Sequence, residues 1–190
     1  MVTDPALLTL DLTEIYSRDA TGQKIGALST ASGVSAVVLE VDIAATAVAP
    51  TLALFAIESA PQALSVVNKL IRYSTNIGAA GKFALTIPFG VVGGSMLKRL
   101  WIKSANLTAL EIKGNGLTIH DSTKASNEFW QKENRKTPQT GWYVVDFVVD
   151  NNQEDHLNTT ALASMEINGT FSAAESVVYF GEYTDLLGNL

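Results

Sequence analysis

Apolar and polar positions alternate with a period of two in many short runs along this chain, the signature of strands that bury one face. "LLTLDL" at 7–12 and "SAVVLEVDI" at 35–43 read as strands, separated by a turn-rich stretch. From 82 onward the rhythm is continuous. "KFALTIPF" puts Phe83, Leu85 and Ile87 on one face, with Pro88 near the strand end, and the next strand runs from Met96 to Lys103. In that strand Arg99 and Trp101 share one face while Leu100 and Ile102 share the other. "LTALEIK" at 107–113 and "LTIH" at 117–120 are joined by "GNG", a tight-turn signal that predicts a hairpin. Asn106 marks the bend before that hairpin. "WYVVDFVVD" at 142–150, "ALASMEI" at 161–167 and "SVVYFGEY" at 176–183 complete the set.

Two segments break the alternation. Leu64, Val67, Asn68 and Ile71 fall at helical spacing and predict a short helix over 62–72, with Arg72 near its negative end. "DSTKASNEFWQKENRK" predicts a second helix of about three turns, capped by Ser122, that turns Phe129 and Trp130 toward the sandwich. The glycines of "VVGGS" at 91–95 read as a β-turn. Short strands with turns between them and an inserted helix predict an all-β sandwich. The order "LLTLDL", loop, "SAVVLEVD" is echoed by "YVVDF", a longer loop, then "SVVYFGEY", as in two tandem sandwiches whose first has lost its front half.

Composition narrows the classes of function. At 190 residues the chain holds one domain, or one and a part, and 47% apolar against 17% charged residues predicts a folded core. A net charge of -6 argues against a broad basic face for nucleic acid. The chain has no cysteine, which removes thiolate chemistry and disulfides, and its two histidines, His120 and His156, cannot form a zincin pair. The first residues show no basic stretch leading into an apolar one, so no signal peptide is expected. The apolar run "AATAVAPTLALFAI" at 44–57 is interrupted by Pro50 and falls short of the roughly 20 residues a membrane span needs.

Catalytic constellations are missing, and no catalytic or cofactor-binding residue is assigned. Glu111 and Asp121 could be read as a glycosidase pair, but acids abound on strand edges and Glu111 belongs to an outward face. The acidic stretch "DFVVDNNQED" supplies hard oxygen donors, and Asp150, Asn152, Glu154 and Asp155 form the one candidate loop for a calcium ion. It lacks the glycine and acid spacing of an EF-hand, and a solvated loop is the plainer reading. Trp101, with Lys98, Arg99 and Lys103, could stack a sugar or base, although packing at the core and rim explains it as well. With Trp130 and Trp142 it motivates an alternative function, a carbohydrate- or receptor-binding sandwich of a phage spike or fibre.

Taken in order, "LEVDIAATAVAPTLALFAI", "TIPFG", "LKRLWIKSANLTALEIKGNG", "GWYVVDFVVDNNQEDHLNTTALASMEI" and "ESVVYFGEY" resemble the double jelly-roll major capsid protein of corticoviruses, tailless phages with an internal membrane. The resemblance covers about 35–183 and rests on collinear strand patterns. It implies an eight-stranded jelly-roll β-sandwich at 61–190 with one or two short inserted helices, a connector at 44–60, and N-terminal strands at 1–43 that end a truncated first jelly roll or form an extension. It further implies a structural capsid protein, not an enzyme, that self-associates into homotrimeric, pseudo-hexameric capsomers. Its neighbours would be other capsomers and other capsid or membrane-associated virion proteins, without direct contact to nucleic acid. The chain would be made in the host cytoplasm and end in the virion shell.

Overall fold

The computed structural model describes residues 66–186 continuously, and before them 13–14, 16–18, 22–27, 29–30, 36–43, 45–46, 48–56, 58 and 60. The predicted strand at 7–12 lies outside these. Within 66–186 there are nine strands: β1 (Val66–Ile77), β2 (Gly81–Leu85), β3 (Met96–Lys103), β4 (Leu107–Gly114), β5 (Leu117–Thr123), β6 (Trp142–Asp146), β7 (Leu157–Asn158), β8 (Met165–Phe171) and β9 (Glu175–Leu186). Two helices interrupt them, α1 (Gly90–Gly93) and α2 (Lys124–Glu133).

The strands form two antiparallel sheets, one in the order β1-β9-β3-β6 with β7 added to β3, the other in the order β2-β8-β4-β5. Most connections therefore cross between two facing layers, with β4 and β5 kept together in one of them, which is the jelly-roll arrangement. Leu85, Leu97, Leu100, Ile102, Leu110, Ile112, Tyr143, Ile167, Phe171 and Val177 meet between the layers and are almost free of solvent. The alternation that predicted the strands is what fills this space, since each contributes every second residue.

β1 corrects the predicted helix at 62–72. It pairs with β9 over its whole length, from Val66↔Leu186 to Ile77↔Glu175. Helical spacing of Val67 and Ile71 coexists in the same stretch with the period-two set Val67, Lys69, Ile71, Tyr73, Thr75 and Ile77, which is β-branched or aromatic at every position but Lys69. The long partner strand decides between them, because tertiary pairing overrides a weak local preference.

The hairpin predicted at "GNG" joins β4 to β5, with Asn115 at φ 51° and Gly116 at φ 78°. Two positive φ values in sequence make the turn whose twist matches the flanking strands. β3 and β4 are successive strands as expected, but they lie in opposite sheets. The corner between them is tied by Ser104, whose Oγ accepts from the Leu107 N–H at 2.8 Å and the Asn106 N–H at 3.1 Å.

Other boundaries shift for local reasons. β6 stops at Asp146, whose carboxylate accepts from the Val148 N–H at 3.1 Å and opens a turn where a strand was predicted to run to 150. β8 begins at Met165, since Thr159–Ala161 is a 3-10 turn capped by the Asn158 side chain. Gly90–Gly93 is one helical turn and not the predicted β-turn. Residues 36–43, predicted as a strand, carry no sheet pairing and are exposed throughout. Alternation gives a segment the capacity to pair, and among the described residues no strand lies beside it.

Candidate functional site

The most chemically loaded region lies on the outer face of the β1-β9-β3-β6 sheet and begins with an irregularity in β3. Leu97 pairs with Tyr183 and Arg99 with Glu182, leaving Lys98 as an extra residue in a bulge. The bulge lets Leu97 join Leu100 and Ile102 in the core, although strict alternation would place it with Arg99 and Trp101. Lys98 is left with no exposed surface, and its ammonium meets the carboxylates of Glu14 and Glu182, the latter at 2.7 Å. Asn68 Oδ1 stands 3.4 Å from the same nitrogen.

Arg99 extends the cluster. Its guanidinium donates to Asp146 at 3.0 Å and to Glu182 at 3.0 Å, and the Trp101 indole N–H donates to the other Glu182 oxygen at 2.9 Å. Burial pushes the Glu182 carboxyl up, but the cations Arg99 and Lys98 together outweigh it and hold the group below its ordinary value. Burial likewise works against the Arg99 charge, and Asp146 and Glu182 more than restore it. The neighbouring His156 is kept below its ordinary value by burial first, with the Lys98 and Arg99 charges adding to the effect; its Nε2 lies 3.0 Å from Thr184 Oγ1.

Beside the cluster a row of rings crosses the sheet. Trp101 and Trp142 meet edge to face at 6.5 Å, and Trp142 and Phe180 lie tilted at 6.2 Å. With Leu70 they line an open groove of about 450 Å³, whose rim includes Glu14, Asn68, Lys69 and Glu182, Lys69 being paired with Asp185. The three rings are half-buried.

The residues singled out from sequence fall elsewhere. Asp150 pairs with Arg18 at 3.3 Å and accepts from the Asn152 N–H. Asn152 in turn caps the 3-10 turn Gln153–Asp155 and donates to Asp155 at 3.0 Å. Asn152 and Asp155 thus bond to each other within the turn, and among the described residues no group of three or more acidic or histidine side chains could hold a metal. Glu111 and Asp121 stand opposite each other across β4 and β5, but Glu111 is held between Lys82 and Lys113, whose hydrogen bonds keep it below the ordinary carboxyl value. That is a surface ion triad and not an acid with a raised pKa.

α2 also departs from expectation. Its cap is Thr123, whose hydroxyl accepts from the Ser126 N–H, and not Ser122. Phe129 and Trp130 point to solvent, 62% and 57% exposed, while Asn127 and Gln131 turn inward. Both amides donate to the Val144 carbonyl on the free edge of β6, at 2.8 and 3.2 Å. Sequence reasoning missed this face because amides reaching a backbone carbonyl leave no apolar signal. It missed the Lys98 cluster too, since nothing local announces a bulge; the only hint is "LKRLW", where two cations interrupt an otherwise alternating strand.

Two antiparallel sheets in this order, closed around an apolar core, define a jelly roll of the kind found in viral coats. The family model of the viral coat protein P2 C-terminal domain matches residues 67–187 and that of the P2 N-terminal domain matches residues 1–62. The chain belongs to the viral coat protein P2 family. Among solved structures it is similar to the major capsid protein P2 from Bacteriophage PM2, with a TM-score of 0.62 and 18% identity over 67% of this chain and 48% of that one. It is also similar to the STIV MCP, with a TM-score of 0.50 and 18% identity over 64% of this chain and 42% of that one. The chain thus spans about half the length of these solved relatives. No curated protein matches its sequence.

Proposed function

We propose that this coat protein works by self-association into trimeric, pseudo-hexagonal capsomers that tile an icosahedral shell, with other capsid or membrane-associated virion proteins as further neighbours and no direct contact to nucleic acid. The observation that carries the reading is the jelly roll itself, matched over residues 67–187 by the coat-protein family. A shell subunit needs a rigid sandwich and flanks that fit other copies, not a nucleophile. Most charged groups of this sheet are paired within one cluster, which suits a load-bearing wall. In the same proposal residues 1–43 end a first jelly roll or form an extension, 44–60 connect, and 61–190 make the sandwich. An acidic chain, net -6, favours protein neighbours over the genome. Light scattering coupled to size exclusion, with electron microscopy of concentrated samples, tests it. Trimers or larger rings are expected, and a chain that remains folded and monomeric at high concentration would overturn the proposal.

A further inference from the structure

We infer that the contact between copies is heterologous, with Phe129 and Trp130 of α2 in one copy seated in the Trp101–Trp142–Phe180 groove of the next. This rests on the self-association reading and names the surfaces that carry it. The two features lie at different places on one sheet. α2 caps the free edge of β6, while the groove runs across the outer face to Leu70 on β1, the strand at the opposite edge. The groove starts at Trp142 on β6, yet Phe129 and Trp130 are exposed and do not line it in their own chain, and a knob and a hollow at different places on one subunit repeat head to tail between copies and close into a ring when the rotation allows.

Chemistry and charge agree with that seating. Large exposed aromatics entering an aromatic-lined hollow are the typical centre of a tight interface. Each such ring carries roughly 150–250 Å² of surface. Two of them therefore supply the middle of the roughly 1,200 Å² that a stable contact needs, and the polar rim must supply the rest. The α2 segment from Lys124 to Lys136 has four basic and two acidic side chains, net +2, within a chain of 13 basic and 19 acidic. The remainder then holds nine basic against seventeen acidic, net -8. Lys132 and Arg135 enter no ion pair among the described residues, and the charges in and beside the groove are four carboxylates, Glu14, Asp146, Glu182 and Asp185, against Lys69, Lys98 and Arg99. A positive helix end against a slightly negative rim steers copies into this orientation.

Because the chain has no cysteine, single cysteines report the contact cleanly. Glu133→Cys, one turn along α2 from Phe129, and Arg72→Cys, two residues along β1 from Leu70, are made separately in the full chain, both at exposed positions that leave the knob and the groove lining intact, differently tagged, mixed and treated with a short bismaleimide. A mixed product joining the two variants is expected, and Phe129→Ser/Trp130→Ser should weaken association about tenfold or more. Cross-links only between identical variants would overturn the heterologous contact. So would continued assembly with no mixed product, or assembly that the serine pair leaves unchanged, and in those cases self-association itself would stand. A chain that never associates would overturn both.

Discussion

Glu14 reaches from the N-terminal part of the chain to the ammonium of Lys98, a side chain with no exposed surface in the bulge of β3. This contact links the region matched by the N-terminal domain family to the jelly roll matched by the C-terminal one. It also closes the rim of the aromatic groove. One ion pair therefore ties chain path, sheet irregularity and candidate interface together.

Removing the lysine should be costly. Lys98→Met keeps the length of the side chain but leaves Glu14 and Glu182 facing each other with only Arg99 to offset them. Breaking a buried pair from one side costs about 3–5 kcal/mol, and urea unfolding should show a loss of that order. Glu14→Gln alone should cost less, about 1–3 kcal/mol, because Glu182 remains. In the Lys98→Met background Glu14→Gln should be neutral or stabilising. Equal costs in both backgrounds would show that the two side chains do not interact.

Stability should fall as the medium is acidified, in two stages. Burial lowers the affinity of His156 and His120 for protons, so the unfolded chain binds them first once the pH drops below the ordinary imidazole value of 6.5. The contribution is complete above that value and is lost as the pH falls through the lowered one. Glu182 follows in the carboxylate range, with the same sign, since its folded form also resists protonation. Melting temperatures from pH 8 to pH 4 should decline monotonically. His156→Gln should flatten the first stage, and an unchanged profile in that variant would remove His156 from the account.

Two glycines should respond to alanine for different reasons. At Gly94 a Cβ would stand 2.6 Å from the Thr160 N and Cα, backbone that cannot move aside. Gly94→Ala should therefore cost about 1–3 kcal/mol. Gly116 has open space around it but sits at φ 78° in the hairpin turn. Gly116→Ala should cost about 1 kcal/mol through strain alone, and Gly116→Asn should recover much of it. Thermal unfolding of the three variants checks the order.

How much could be read in advance follows from what each element depends on. β3 from Met96 to Lys103 was legible because both its faces have steady partners, core on one side and the ring row on the other. The turn at Asn115–Gly116 was legible because its backbone angles restrict the residue types. β1 was not, because Val67 and Ile71 satisfy two periods and only the presence of β9 chooses between them. The capacity of Asp150, Asn152, Glu154 and Asp155 for a cation was readable as oxygen density, but density does not say that Arg18 and neighbouring backbone N–H groups already meet the oxygens of Asp150 and Asn152. Lys98 is the clearest case. Its burial requires a bulge, and its partner Glu14 lies 84 positions away in the sequence.

The inward amides of α2 carry the last prediction. β6 is an end strand, and an uncovered strand edge invites pairing with other chains. Asn127 and Gln131 occupy the Val144 carbonyl there and hold the helix across the edge. Asn127→Asp with Gln131→Glu preserves shape but replaces both donors with acceptors, so the carbonyl loses its partners and meets negative charge instead. The double variant should lose about 2 kcal/mol. Its more telling change should be faster aggregation on mild heating, because the helix would lift before the sandwich unfolds. Hydrogen exchange of the β6 amides, compared with those of β3, separates the two effects: selective loss of protection at β6 is expected. A uniform loss across both strands would mean that the helix stabilises the sandwich as a whole and does not guard its edge.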